Sequence, residues 1–174
     1  MRSSLILLGL ALGGPACQPA TTRPPFTPFP EAAGQELRLP VPEATRRLAE
    51  ALRADTIPVR RIELRDGYLE TPWFDAATGR PTHRRPIGPG VVRIRAWADP
   101  ARPGNTQLTV ETLYRPLVDP SLPERELERE VARGHRVARK VEAALRRLAQ
   151  RYGAPAPPPT QPPPAAGVDA EEDE

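Results

Sequence analysis

The sequence predicts an α+β domain: a small antiparallel sheet of about four strands packed against a long C-terminal helix and a shorter N-terminal helix. Three observations carry this expectation. Residues 91–98 and 106–115 alternate apolar and polar side chains with period two, the mark of half-buried strands. Apolar or small residues recur in steps of four and three from Leu127 to Tyr152, the mark of one helical stripe. The 25 prolines crowd both ends of the chain, so the foldable part is shorter than its 174 residues, with room for one domain.

The elements follow in order. Pro42 to Ala54 reads as a helix, because Pro42 suits a first turn and Val41, Ala44, Leu48, Ala51 and Leu52 share one face. A short strand near Leu37 precedes it. Residues 62–65 and 68–71 flank Asp66-Gly67, a pair suited to a two-residue primed turn. That register sets Glu63 opposite Glu70, Leu64 opposite Leu69 and Ile62 opposite Thr71. A loop over 75–90, rich in Gly, Pro and Arg, leads to the alternating pair. There Val92, Ile94, Ala96 and Ala98 face inward with Leu108, Val110, Thr112 and Tyr114. Setting Ala98 opposite Thr106 brings Arg93 opposite Glu111. The last element is expected as one helix of about thirty residues, near 45 Å long. Ser121 and Glu124 have capping-box spacing at its start, and Gly134 and Ala138 lie mid-stripe. A helix laid over one face of a curled sheet buries both apolar faces.

The chain ends read differently. Arg2, the apolar run 5–12 and the small residues before Cys17 form an export signal too short to span a bilayer. Cys17 is the only cysteine, and an exported protein with one thiol has no disulfide partner for it. Residues 1–16 are thus expected as signal peptide, 17–36 as a proline-rich tether, 37–152 as the domain and 153–174 as a disordered tail. Gly14 stands three positions before Cys17, and Gln18 follows it.

Charge points to surfaces more than to chemistry. The net charge is +3, with about seven excess basic residues in the middle of the chain and five acids in the tail. Lys140 is the only lysine, so the arginine abundance reads as the composition of a GC-rich genome. Export makes nucleic acid a poor partner, and no aromatics interleave the arginines as a single-strand platform needs.

Catalysis is poorly supplied. Only Ser121 remains as a serine after signal cleavage, and Lys140 lies on a solvated helix face, so no Ser-His-Asp or Cys-His set can be assembled. His83 sits beside Arg84 and Arg85, where positive charge opposes a metal, and His135 lies one step off the apolar stripe. No zinc-type spacing exists, and no cofactor motif: Gly88-Pro89-Gly90 lacks the spacing and the lysine of a phosphate loop. Glu63 facing Glu70 could form an acid–base pair. Their face, however, also carries Arg61, Arg93, Arg95 and Glu111, the makings of a solvated charge lattice. Two surface patches remain. Arg80, Arg84 and Arg85 can contact anionic lipid headgroups or phosphates. Val91, Trp97 and Leu113 form an exposed apolar set fit for a protein partner. Trp73 is expected in the core.

Two resemblances complete the reading. Cys17 after small residues resembles the bacterial lipobox, which implies a lipid-acylated cysteine as first mature residue; Gln18, in place of an Asp, implies the outer membrane. The order of helix, hairpin with Gly67, Leu69, Thr71 and Trp73, paired strands and long helix resembles the helix-grip domain of the outer-membrane assembly lipoprotein family BamC. It covers residues 40–150, one such domain where the family has two. It implies a non-catalytic accessory or scaffold protein of the cell envelope, facing the periplasm and bound to other envelope proteins. The alternative is a carrier of a lipid or other apolar ligand, held between sheet and long helix where Gly134 and Ala138 leave room.

Overall fold

Pro40 and Pro42 open the first helix because a proline there gives up no intrahelical hydrogen bond. The computed structural model, which describes residues 21–82 and 87–153, forms α1 over Val41–Ala54, with Ala44, Leu48 and Leu52 buried on one face. The strands are β1 (Ala33–Leu37), β2 (Arg61–Glu63), β3 (Tyr68–Glu70), β4 (Phe74–Asp75), β5 (Val91–Pro100), β6 (Thr106–Tyr114) and β7 (Arg129–Glu130). Two more helices, α2 (Glu124–Leu127) and α3 (Arg136–Tyr152), complete the described elements. This is an α+β fold with a seven-stranded antiparallel sheet, ordered β1-β6-β5-β3-β2, with β4 beside β5 and β7 beside β6. The four expected strands and the short one expected near Leu37, which is β1, are thus supplemented by β4 and β7.

The inner face of the sheet packs on α1 and α3. Val92, Ile94, Ala96 and Ala98 of β5 and Leu108 and Val110 of β6 meet Leu48, Leu52, Val137, Val141, Leu145 and Leu148 there. Each leucine so buried contributes roughly 2 kcal/mol of transfer free energy. The backbone closes the layer at one end, where Leu37 and Gly153 form a bridge and Arg38 N–H donates to Tyr152 O at 2.7 Å.

Both hairpins are shifted by two residues from the expected register. Ile62 pairs with Leu69 and Arg61 with Glu70, leaving the four residues 64–67 in the turn. The cause is Gly67. Its φ of +64° is left-handed, and its carbonyl accepts from Ala98 N–H at 2.7 Å, so the turn docks on β5. A Cβ there would sit 2.2 Å from Ala98 O. In the second hairpin Pro100, not Ala98, faces Thr106, because Ala101 N–H closes the turn onto Asn105 O and lengthens the ladder. Arg95, not Arg93, therefore faces Glu111. A slip of two keeps every side chain on its face.

The single long helix is not formed. Glu128 adopts φ −80°, ψ 145° and ends α2, β7 pairs with Leu113 and Tyr114, and Val131 N–H donates to Thr112 O at 3.0 Å. The reason is that the apolar stripe serves two layers. Leu127 is buried outside the inner cluster, whereas Val131 packs against it, and no straight helix reaches both. Pro123 takes the cap position of α2; the Ser121 hydroxyl instead donates to Asp119 at 2.6 Å. Gly134 lies in the loop before α3, where an added Cβ would meet nothing within 4 Å.

Residues 33–36 belong to β1, so the domain begins inside the stretch expected to be tether. The proline-rich residues 22–29 also bond to the body, as described next. Cys17 and the tail from 154 lie outside the described residues, as do the export signal and His83, Arg84 and Arg85.

Candidate functional site

The outer face of the sheet was expected to be a solvated lattice of Glu63, Glu70 and Glu111 with Arg61, Arg93 and Arg95. The parity is right, but the face is covered. Strand alternation puts Tyr68 and Glu70 of β3, Arg93, Arg95 and Trp97 of β5, and Glu111 and Leu113 of β6 on one surface. Two segments close over it: a strap of residues 22–29, and the stretch carrying α2. Glu111 and Glu128 are fully buried, and Arg95 is 3% exposed.

Each charge under this cover has a partner. Arg125 forks onto Glu111 with two bonds of 2.9 and 2.7 Å, the bidentate geometry that guanidinium and carboxylate favour. Arg95 bonds to Glu128 and lies 3.7 Å from Glu70. Arg93 reaches Glu124 at 3.1 Å and Glu128 at 3.8 Å. Arg115 reaches Glu124 at 3.4 Å. Four arginines (93, 95, 115, 125) thus face four glutamates (70, 111, 124, 128), so the layer is neutral. Neutrality matters, since an unpaired charge at this depth costs several kcal/mol.

The aromatic residues fill the remaining space. Trp73 lies between the guanidinium groups of Arg93 and Arg115, 4.6 and 4.7 Å from its ring centre, and its Nε1–H donates to Glu124 at 3.1 Å. Trp97 meets Tyr68 edge-on at 5.9 Å. The Tyr68 hydroxyl donates to Glu70 at 2.6 Å, and burial first, then this carboxylate, holds the phenol well above its usual range. Trp73 was expected in the inner core; it is buried, but in this outer layer.

The strap is bound by its backbone and by two phenylalanines. Phe29 N–H donates to Glu111 at 2.6 Å, and Arg125 donates to Thr27 O at 2.7 Å. Phe26 lies over Arg95 and Arg125, and Phe29 over Arg125 at 3.9 Å. Further along, Arg23 pairs with Asp99 at 2.7 Å, and both Thr22 N–H and its hydroxyl bond to Asp66. Polyproline-like backbone cannot pair within itself, so it spends these groups on the domain. Phe26 and Phe29 were the available signal, because a solvated spacer has no use for them.

Two titrating groups sit at the edges. Glu130 has no hydrogen-bond partner on Oε2; burial, then Glu111 and Glu31, push its carboxyl up to about 7. His135 caps α3, its Nδ1 accepting from Val137 N–H at 3.3 Å while Nε2 meets Pro89 O at 3.0 Å. Burial holds that imidazole below its usual range.

The expected site residues fare unevenly. Trp97 is 1% exposed, Leu113 is fully buried and Val91 is half-buried, so the apolar partner patch does not exist at the surface. The physical reason is the cover itself, which the alternation pattern does not reveal. Arg80 is exposed. Glu63 does not face Glu70; it pairs with Arg61 at 3.2 Å. Beside Ala138 the recess, lined also by Ala33, Val110 and Val141, holds about 40 Å³, and Gly134 does not line it. Among the described residues no group of three or more His, Cys, Asp or Glu side chains could hold a metal, and no helix is long and apolar enough to cross a membrane. Among the described residues the exposed large apolar ones are Ile87, Leu117 and Leu122, at 59, 51 and 43%.

No protein-family model matches the chain, and no curated protein does.

Proposed function

We propose that this chain is a lipid-anchored envelope protein, acylated on Cys17 and probing the periplasm side of the outer membrane as a non-catalytic scaffold or accessory subunit, with α3 taking the part of the gripping helix in a helix-grip arrangement. The observation that carries the scaffold reading is the polarity of the domain. Thr22 and Arg23, close to Cys17 in the chain, are held at the end of the sheet bearing the turns 64–67 and 101–105. Ile87, Leu117 and Leu122 lie on loops that meet β5 and β6 at the opposite end, where Gly88 N–H donates to Arg115 O at 2.6 Å. An anchor at one end and exposed apolar side chains at the other suit a bridge between a membrane and a protein partner.

Metabolic labelling with a palmitate analogue tests the anchor: label on the wild type and none on Cys17→Ser is expected. Crosslinked affinity purification from solubilised envelopes tests the scaffold. A defined envelope protein, retained by the wild type and lost on Leu117→Asp with Leu122→Asp, is the expected result, and equal retention by both would refute the assigned end.

A further inference from the structure

The proline-rich stretch ahead of the domain is spent on the sheet before it can act as a spacer. Thr22 is fixed to Asp66 by two bonds of 2.7 and 2.6 Å, and Arg23 is fixed to Asp99. We infer that the domain stands directly on the bilayer carrying its anchor, with the turns 64–67 and 101–105 against the lipid headgroups. The inference rests on the acylation of Cys17 proposed above.

Chain length decides the geometry. Four residues lie between Cys17 and Thr22, five steps along the chain, with a reach of at most about 18 Å even when fully extended. A free tether from 17 to 36 would reach roughly 60 Å. Strand β5 alone, ten residues long, spans about 33 Å, so the far end of the sheet stands out of reach of the anchor while the strap holds.

The charges at the near end fit an anionic surface. Its carboxylates are all engaged. Glu36 takes both bonds from Arg102 and one from Asn105, Glu63 pairs with Arg61, Asp66 holds Thr22, and Asp99 holds Arg23. The side chains of Arg38 and Arg65 are exposed and make no ion pair among the described residues. Among the described residues this end carries five arginines (23, 38, 61, 65, 102) against four carboxylates (36, 63, 66, 99), one net positive charge, which favours phosphate headgroups over a polycationic partner. The turn residues Ala101, Arg102, Pro103 and Gly104 carry no large apolar side chain, so this end rests on headgroups without inserting.

The test uses the full lipidated protein in vesicles of phosphatidylethanolamine and phosphatidylglycerol. With Cys17 acylated, Ala101→Cys or Ala132→Cys supplies a unique thiol for a fluorophore, one on a turn at the near end and one in the loop before α3. Headgroup spin-labelled lipid should quench the dye at 101 and leave the dye at 132 bright. Replacing Arg23 and Asp66 together by alanine should free the first residues of the strap, which Glu111 and Arg125 still hold at Phe29 and Thr27, and reduce quenching at 101 while the protein still floats with the vesicles. Floating protein that shows equal quenching at both sites, or none at 101, overturns the orientation and leaves the anchor standing. Protein that does not float, and whose Cys17 itself takes the dye, overturns the anchor and the orientation with it.

Discussion

Glu111 is the residue on which strap and sheet are joined, and replacing it by glutamine tests that joint. The carboxylate is fully buried and accepts three bonds, two from Arg125 and one from Phe29 N–H. An amide presents one acceptor oxygen and turns an N–H₂ towards donors, so at least one of the three bonds is lost. Breaking a buried ion pair from one side costs about 3–5 kcal/mol. Arg125 keeps Glu128 at 3.6 Å and is 17% exposed, which places the loss near the lower bound, about 3 kcal/mol, a large share of a typical domain's stability. Urea unfolding followed by tryptophan fluorescence is the assay, because Trp73 and Trp97 both lie in the layer being opened. The companion measurement is Glu111→Leu with Arg125→Met, which removes both charges together. It should cost less than the sum of the single changes by at least about 1 kcal/mol. Chymotrypsin cleavage after Phe26 should also quicken in Glu111→Gln. A loss under about 1 kcal/mol, the worth of an exposed pair, together with additive single effects, would refute the buried network as the fastening of the strap.

Three further outcomes follow from the geometry. Gly67→Ala should cost at least about 2 kcal/mol in urea unfolding, through the left-handed φ and the contact with Ala98 O. Glu130→Gln should stabilise the domain at pH 8 and leave it unchanged at pH 4. A carboxyl raised in the folded state to about 7 adds stability below the ordinary value of 4.5, and that stability is lost as pH rises through 7. Discounted for solvent screening at this half-buried site, the gain at pH 8 is about 1 kcal/mol. His135→Asn should keep the cap of α3 and remove an acid sensitivity. Burial disfavours the charged imidazole in the folded state, so its contribution is present above the ordinary value of 6.5 and fades as pH falls below it; thermal melts of wild type and variant should diverge below pH 6.5 and agree at pH 8.

The inner half of this fold was legible because burial there follows simple periods. Leu48 and Leu52 on α1, Ile94 and Ala96 on β5, and Leu108 and Val110 on β6 all lie where alternation or a helical stripe puts them. The hairpin registers were not, because a turn's length depends on what its backbone touches: Gly67 is fixed by Ala98, thirty-one residues on in the chain. The long helix failed for a related reason. Leu127 and Val131 share a helical spacing but pack in different layers, and only the alternation of Glu124, Glu126, Glu128 and Glu130 with Arg125, Leu127 and Arg129 hints at extended backbone there. The outer layer was hidden deepest. Arginine and glutamate on a strand read as solvated until something covers them, and the cover came from a segment whose prolines read as spacer. That Trp97 and Tyr68 share the face with Arg95 was the sign that it is not wet.

The bridge between Leu37 and Gly153 brings the first strand and the end of the last helix side by side. Fraying at the C-terminal end of α3 therefore also loosens the last residue of β1, so the helix and the sheet edge open together.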